Sequence, residues 1–266
     1  MMHAYNGLAH LPTGDMDYIR FGRGQKTLIM IPGVGDGLKT VKGMALPFAF
    51  LYRSLSRDFT VYVFSRCRNL ASGMTTRDMA EDVNLAMESL QLSSAALVGV
   101  SQGGMIAQWL ALDHPERVEK LVLTVTLCRP NDTIRGVIAR WTAMAEQGDY
   151  RGIMLDTAER SYSEKRLKAS RLEYTLLGSI GRPKSFERFL IQARSCVTHD
   201  THDRLGEIRC PTLVIGGHQD RIVTGAASEE IAAQIPGCRL HMYDQLGHGL
   251  YEEAPDFLQR VHTFCL

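Results

Sequence analysis

The chain has no hydrophobic run approaching the roughly 18 residues that a membrane helix requires, so no helical span is expected. It has no excess of either charge. Thirty Lys and Arg face 29 Asp and Glu, a formal net charge of +1, which argues against the basic face that nucleic-acid binding needs. Its six cysteines, Cys67, Cys128, Cys196, Cys210, Cys238 and Cys265, are scattered and include no Cys-x-x-Cys pair, which suits reduced thiols. Residues Met1 to Asp17 lack the basic-then-apolar layout of a secretion signal. No internal repeat or low-complexity tract is visible. These absences lead us to expect a cytoplasmic chain with reduced thiols, no nucleic-acid or membrane partner, and a small molecule as its ligand. The oligomeric state is left open.

What the chain does have is apolar content. Hydrophobic residues make up 45% of 266, enough to fill the core of one large α/β domain. Asp17 to Gly22 alternates and predicts an antiparallel edge strand. Thr27 to Ile31 and Thr60 to Phe64 are continuous apolar runs, as strands buried on both faces require. Helices are predicted over Met44 to Leu55 and over Thr76 to Leu90, the second capped by Thr75 or Thr76. Ser65 to Thr75 reads as a polar loop. A strand from Ala95 that stops at Gly99, a helix from Gln102 to about His114 and a strand over Val118 to Val125 follow. Such alternation implies a mostly parallel sheet with helices on both faces.

The alternation lapses over residues 128 to 205, where only helical patterns occur: Thr133 to Gln147, Tyr150 to Tyr162, Glu164 to Leu177 and Ser185 to Cys196. A structureless loop of that length would be improbable, so a helical insertion is expected there, with residues 1 to 127 and 206 to 266 as the core. The insertion carries 14 Lys and Arg against 10 Asp and Glu. That excess suits either an anionic ligand or a solvated helical surface. Beyond it, a strand is expected at Thr212 to Ile215, a helix at Gly225 to Ile235, a last strand at Arg239 to Tyr243 and a closing helix at Glu252 to Phe264.

One stretch carries chemistry. Gly99-Val100-Ser101-Gln102-Gly103 fits Gly-x-Ser-x-Gly between a strand and a helix. A turn this sharp forces Ser101 into a sparsely allowed conformation and requires neighbours without a Cβ. It would lift the serine hydroxyl above the sheet, beside helix N–H groups able to receive an oxyanion. A serine needs a base, and the base an acid to orient it. In a parallel sheet these groups belong past the C-terminal ends of strands. Asp220, after the Thr212 strand, and His248, in Gly247-His248-Gly249, both satisfy that rule, with Asp132 as an alternative acid. The candidate oxyanion donors are the backbone N–H groups of Gln102 and of Val34, in the loop Gly33-Val34-Gly35. His199, Asp200, His202 and Asp203 cluster, but at no recognised metal spacing, and read better as a polar hinge. His218 is a candidate pocket residue. No metal or organic cofactor is called for.

The chain resembles the α/β-hydrolase superfamily along nearly its whole length. The matching pieces are Leu28 to Gly35, Leu97 to Met105, His114 to Val118, Pro211 to Asp220 and Gly247 to Gly249. Two positions depart from the common pattern. Pro32-Gly33 stands where many relatives have His-Gly, and Ser65-Arg66-Cys67-Arg68-Asn69 replaces an Asp-x-Arg-Gly type of loop. The resemblance implies the fold of that superfamily, with 128 to 205 as a helical cap roofing the pocket. It also implies a serine hydrolase acting on a small ester, thioester or lactone. Aminopeptidases, carbon–carbon bond hydrolases and ligand receptors with little turnover share the fold and remain alternatives.

Overall fold

The computed structural model describes residues 3–169 and 181–266. Among the described residues eight strands form one sheet: β1 (Ala4–Leu11), β2 (Gly14–Gly22), β3 (Lys26–Ile31), β4 (Phe59–Cys67), β5 (Ala95–Val100), β6 (Val118–Thr124), β7 (Thr212–Gly217) and β8 (Arg239–Tyr243). Their spatial order is β1-β2-β4-β3-β5-β6-β7-β8. β1 pairs β2, and β2 pairs β4, antiparallel; the other pairings are parallel. The mostly parallel, doubly covered sheet expected above is therefore present.

The continuous apolar runs follow from that covering. Along β3, Leu28 and Met30 face one core and Ile29 and Ile31 the other; along β5, Ala96 and Val98 alternate with Ala95 and Leu97 in the same way. Side chains alternate across a strand, so a strand with helices on both sides must be apolar at every position. On one face lie α2 (Thr76–Ser89), α3 (Gln102–Asp113) and α8 (Gly225–Gln234), contributing Met79, Val83, Met87, Ile106, Leu110 and Ile231. On the other lie α1 (Ala45–Leu51) and α10 (Phe257–Cys265), contributing Ala45, Ala49, Phe257 and Val261. Thr75 caps α2 through a capping box with Asp78, satisfying two backbone N–H groups that the first turn would leave bare.

Between β6 and β7 run α4 (Asp132–Glu146), α5 (Tyr150–Ser161), α6 (Glu164–Ala169) and α7 (Glu187–Cys196), with no strand among the described residues. The expected helix over Glu164 to Leu177 lies in part outside the described residues. Trp141, Ile138 and Phe189 of this segment pack with Met105 at the start of α3 and with Ile222 and Val223 after β7.

Several boundaries differ from expectation. β2 is not an edge strand, because β1 covers it; of β1 only Ala9 is buried, so its sequence shows no apolar alternation. β4 continues through Ser65, Arg66 and Cys67, all buried, where polar residues had suggested a loop. α1 stops at Leu51. The closing helix is two, α9 (Leu250–Glu253) and α10, separated where Pro255 holds Ala254 extended, with ψ of 117°. The six thiols are free, and no helix among the described residues is long and apolar enough to cross a membrane.

The His199 to Asp203 cluster is structural. Buried His199 lies between Thr76, at 2.9 Å, and Thr201, at 3.4 Å, while His202 pairs with Asp203. Burial pushes the His199 imidazole down to about 3, although a backbone hydrogen bond at Leu127 pulls the other way. The folded protein thus binds fewer protons at this site than the unfolded chain between about pH 6.5 and 3. His199 therefore costs no stability above that window and progressively more as pH falls through it, by up to about 1.4 kcal/mol per pH unit. Urea midpoints measured across this window should fall less steeply for His199→Gln than for the parent; parallel slopes would contradict the assignment.

Candidate active site

The strand order creates the site. The connection from β3 to β4 runs to one side and the connection from β4 crosses back over β3 to β5, so the loops after β3 and β5 diverge at their C-terminal ends. Such a switch point leaves a crevice there. Gly33 and Val34 leave β3 on one side of it, and Ser101 leaves β5 on the other. A Cβ built on Gly33 would lie 3.2 Å from Ser101 Cβ and 3.7 Å from Ser101 Oγ, which places the two loops in contact.

Ser101 has φ of 54° and ψ of −120°, a conformation that L-residues rarely adopt. Its surroundings hold it there. The Ser101 N–H donates to the Thr124 carbonyl at 2.9 Å, and its own carbonyl accepts from Gly104 N–H and Thr126 Oγ1, both at 2.8 Å. Strain of this kind, of order 1–3 kcal/mol, persists only where the neighbourhood over-determines the backbone. The flanking glycines meet the packing demand. A Cβ on Gly99 would meet the Gly103 carbonyl oxygen at 2.5 Å, and one on Gly103 would meet the Ile31 carbonyl oxygen at 1.9 Å.

Gln102 opens α3, and Val34 opens a short 3-10 turn, Val34–Gly37. The first N–H groups of a helix have no partner within it, so both backbone groups are suited to receive an anion. Asp220 follows β7 and His248 follows β8, on the same sheet edge as Ser101. His248 Nδ1 lies 2.8 Å from Asp220 Oδ2, and both residues are buried. Asp220 Oδ1 accepts from the N–H groups of Ile222, at 2.8 Å, and Val223, at 3.0 Å. Burial alone would raise the Asp220 carboxyl, but His248 and those two N–H groups outweigh it and hold the group below its ordinary value. An ionised Asp220 requires Nδ1 to carry the proton, which leaves Nε2 of a neutral His248 as a proton acceptor.

Asp220 is therefore the partner of His248; Asp132 is exposed at the start of α4. His218 pairs with Asp244 at 2.9 Å and is largely exposed. Many cations of the helical segment are already paired, Arg129 with Glu230, Arg140 and Arg160 with Asp156, Arg194 with Glu146 and Arg204 with Asp113. This pattern fits the solvated-surface explanation of its charge.

Beneath the two loops lies a polar cluster that periodicity does not reveal. Arg188 of α7 donates to Asp36 Oδ2 at 2.6 Å and to the carbonyls of Arg66 and Cys67 at 2.9 and 3.0 Å. Asp36 Oδ2 also accepts from Arg66 N–H at 3.0 Å and from Gln192 Nε2 at 3.3 Å. The Gln102 amide donates to the Gln192 carbonyl at 2.6 Å and to Ser195 Oγ at 3.0 Å. α7 is thereby tied to both loops of the crevice. The helical segment also reaches the His248 loop, because Gly249 N–H donates to the Ser161 carbonyl at 2.8 Å. Because a Cβ on Gly103 would meet backbone that cannot withdraw, Gly103→Ala should lose roughly 3 kcal/mol of stability or more in urea unfolding. Parent-like stability would refute the packing account of the turn.

A family model described as the alpha/beta hydrolase fold matches residues 26–255. The 2-hydroxymuconate semialdehyde hydrolase of Pseudomonas putida is 30% identical over 183 residues, 67% of this chain and 64% of that protein. The 2-hydroxy-6-oxononadienedioate/2-hydroxy-6-oxononatrienedioate hydrolase of Klebsiella pneumoniae is 28% identical over 261 residues, 91% of this chain and 88% of that one. Among solved structures, the enol-lactonase from Burkholderia xenovorans LB400 superposes with a TM-score of 0.82 at 21% identity, covering 97% of this chain and 99% of its own, a likeness of fold. With its sheet order, its strained turn at Ser101 and this match over most of its length, the chain belongs to the alpha/beta hydrolase fold family.

Proposed function

We propose that this protein is a serine hydrolase that cleaves a small carboxylic ester, thioester or lactone through an acyl-enzyme. The observation that carries the reading is that a strained, turn-borne Ser101 and a buried Asp220–His248 couple both lie past the C-terminal ends of parallel strands of one sheet. His248 Nε2 takes the Ser101 proton as Oγ attacks the carbonyl carbon, and the N–H groups of Gln102 and Val34 receive the oxyanion. His248 then protonates the leaving group. The same base next activates water, which attacks the acyl-enzyme and releases the acid. Asp220 holds the tautomer and stabilises the imidazolium. None of these steps calls on a metal or an organic cofactor. Residues 128–205 act as the cap that shapes substrate choice.

A second reading, hydrolysis of a carbon–carbon bond in a ring-cleavage product, is favoured by the names of the two relatives above. Fold does not decide between the two, because one scaffold carries many chemistries. A panel of 4-nitrophenyl esters with graded acyl chains, run beside a 2-hydroxy-6-oxo-dienoate, separates them by relative kcat/KM. In the preferred substrate class, Ser101→Ala should lose about 10⁴- to 10⁶-fold in kcat. Asp220→Asn should lose about 10⁴-fold, since it favours the wrong tautomer while keeping the shape. Full activity of Ser101→Ala would overturn the mechanism for both readings.

A further inference from the structure

Arg66 is an unusual residue for its place. It sits near the C-terminal end of β4 with 1% of its surface exposed. Its Nη2 donates to the Pro32 carbonyl and, at 3.1 Å, to Gln102 Oε1. Those two acceptors belong to the two segments that supply the oxyanion donors. The Pro32 carbonyl lies in the loop leading to Val34, and Gln102 carries the second N–H itself. One guanidinium nitrogen thus bridges the two segments.

Its charge is also poorly compensated. The carboxylate in the cluster, Asp36, pairs with Arg188 at 2.6 Å, and Arg66 makes no ion pair among the described residues. Its Nε and Nη1 find no protein partner among them either. Two guanidiniums therefore share one carboxylate in a buried setting, a local net charge of +1. Burial pulls Arg66 down to about 10, with Asp36 opposing and Arg188 reinforcing the fall, so it is cationic at neutral pH. An isolated buried cation is costly, and its field in a low-dielectric surrounding is strong. The charge missing from the resting arrangement is an anion in front of Val34 and Gln102, which is what attack by Ser101 creates.

We propose that Arg66 is a positioning residue for the oxyanion hole: its guanidinium holds the Pro32 and Gln102 segments at a set separation and lends a buried positive charge to the transition state. This rests on the serine-hydrolase reading and adds to it the reason for the Ser-Arg-Cys-Arg sequence at the end of β4. Arg66 touches no substrate in this account. It acts through the two backbone donors, so its removal should weaken the transition state more than the bound ground state.

The test compares Arg66→Met, which keeps the bulk, and Arg66→Lys, which keeps the charge but ends in a shorter side chain that does not reproduce the position of Nη2, with the parent and Ser101→Ala. The readouts are kcat and KM on a 4-nitrophenyl ester, the second-order rate of labelling by a fluorophosphonate, and the thermal midpoint. Arg66→Met should lower kcat and the labelling rate roughly 10- to 100-fold with KM within about threefold of the parent, and Arg66→Lys should fall between. A purely structural role would instead lower the thermal midpoint and leave kcat of the folded protein intact; that result, or a raised KM at unchanged kcat, overturns the proposal. If Arg66→Met does not fold, Arg66→Lys decides alone: reduced kcat at unchanged KM supports the role, and parental kcat refutes it. A parent that is not labelled, or a Ser101→Ala protein that still is, sinks the serine reading and this proposal with it. Labelling that vanishes in Ser101→Ala but keeps its parental rate in Arg66→Met sinks the Arg66 role alone.

Discussion

The backbone of Ser101 is the constraint on which the rest of the site depends. Its φ of 54° is tolerable only because the two neighbouring strands, β3 and β6, and the start of α3 crowd round it in fixed register. β5 must end beside β3 and β6 so that Thr124, Thr126 and Gly104 can pair with its peptide groups. The helix after it must begin at once, and it can approach the strands only because Gly99 and Gly103 have no side chains to intrude. The sheet supplies the rigidity, and the glycines supply the room. Together they keep the hydroxyl raised at the edge where the loops of β3, β7 and β8 also end.

The polar cluster below that turn links the helical segment to the chemistry. Asp36, Arg66, Arg188, Gln102 and Gln192 are all largely buried, and burying such groups is unfavourable unless each finds partners. Arg188 and Gln192 are contributed by α7, while Asp36, Arg66 and Gln102 come from loops or strand ends of the sheet. Movement of α7 would strip partners from both sides at once, so its seat over the crevice is well determined. The clasp between Ser161 and Gly249 does the same at the His248 side. The helices of residues 128–205 and the loops that carry Val34 and Gln102 are thus mechanically one unit.

Where local signals governed, residue patterns were informative. The parallel strands, the capping of α2 at Thr75 and the turn at Ser101 each follow from apolar runs, hydroxyl caps or glycine spacing within a few residues. Where a partner far along the chain governed, they misled. β1 takes its place through pairing with β2, with only Ala9 buried, so it carries too little apolar alternation to register. Ser65-Arg66-Cys67 resembles a loop because an arginine is ordinarily exposed, yet the pairing of β2 with β4 extends to Cys67. Pro255 divides the closing helix, a break that an otherwise regular apolar pattern concealed.

The primary structure alone determined the alternation of strands and helices, the place of the interruption, and the order Ser101, Asp220, His248 past strand ends, which are those of β5, β7 and β8. Those properties depend on short-range periodicity and turn chemistry, which any nearby window of residues displays. Tertiary structure decided which acid serves His248, choosing Asp220 over Asp132 by a 2.8 Å contact. It also decided that Arg66 is buried against Pro32 and Gln102 and that Arg188 takes Asp36 from it. The hydrogen bonds of that cluster join residues 30 to 156 positions apart and exist only once the sheet has closed around them.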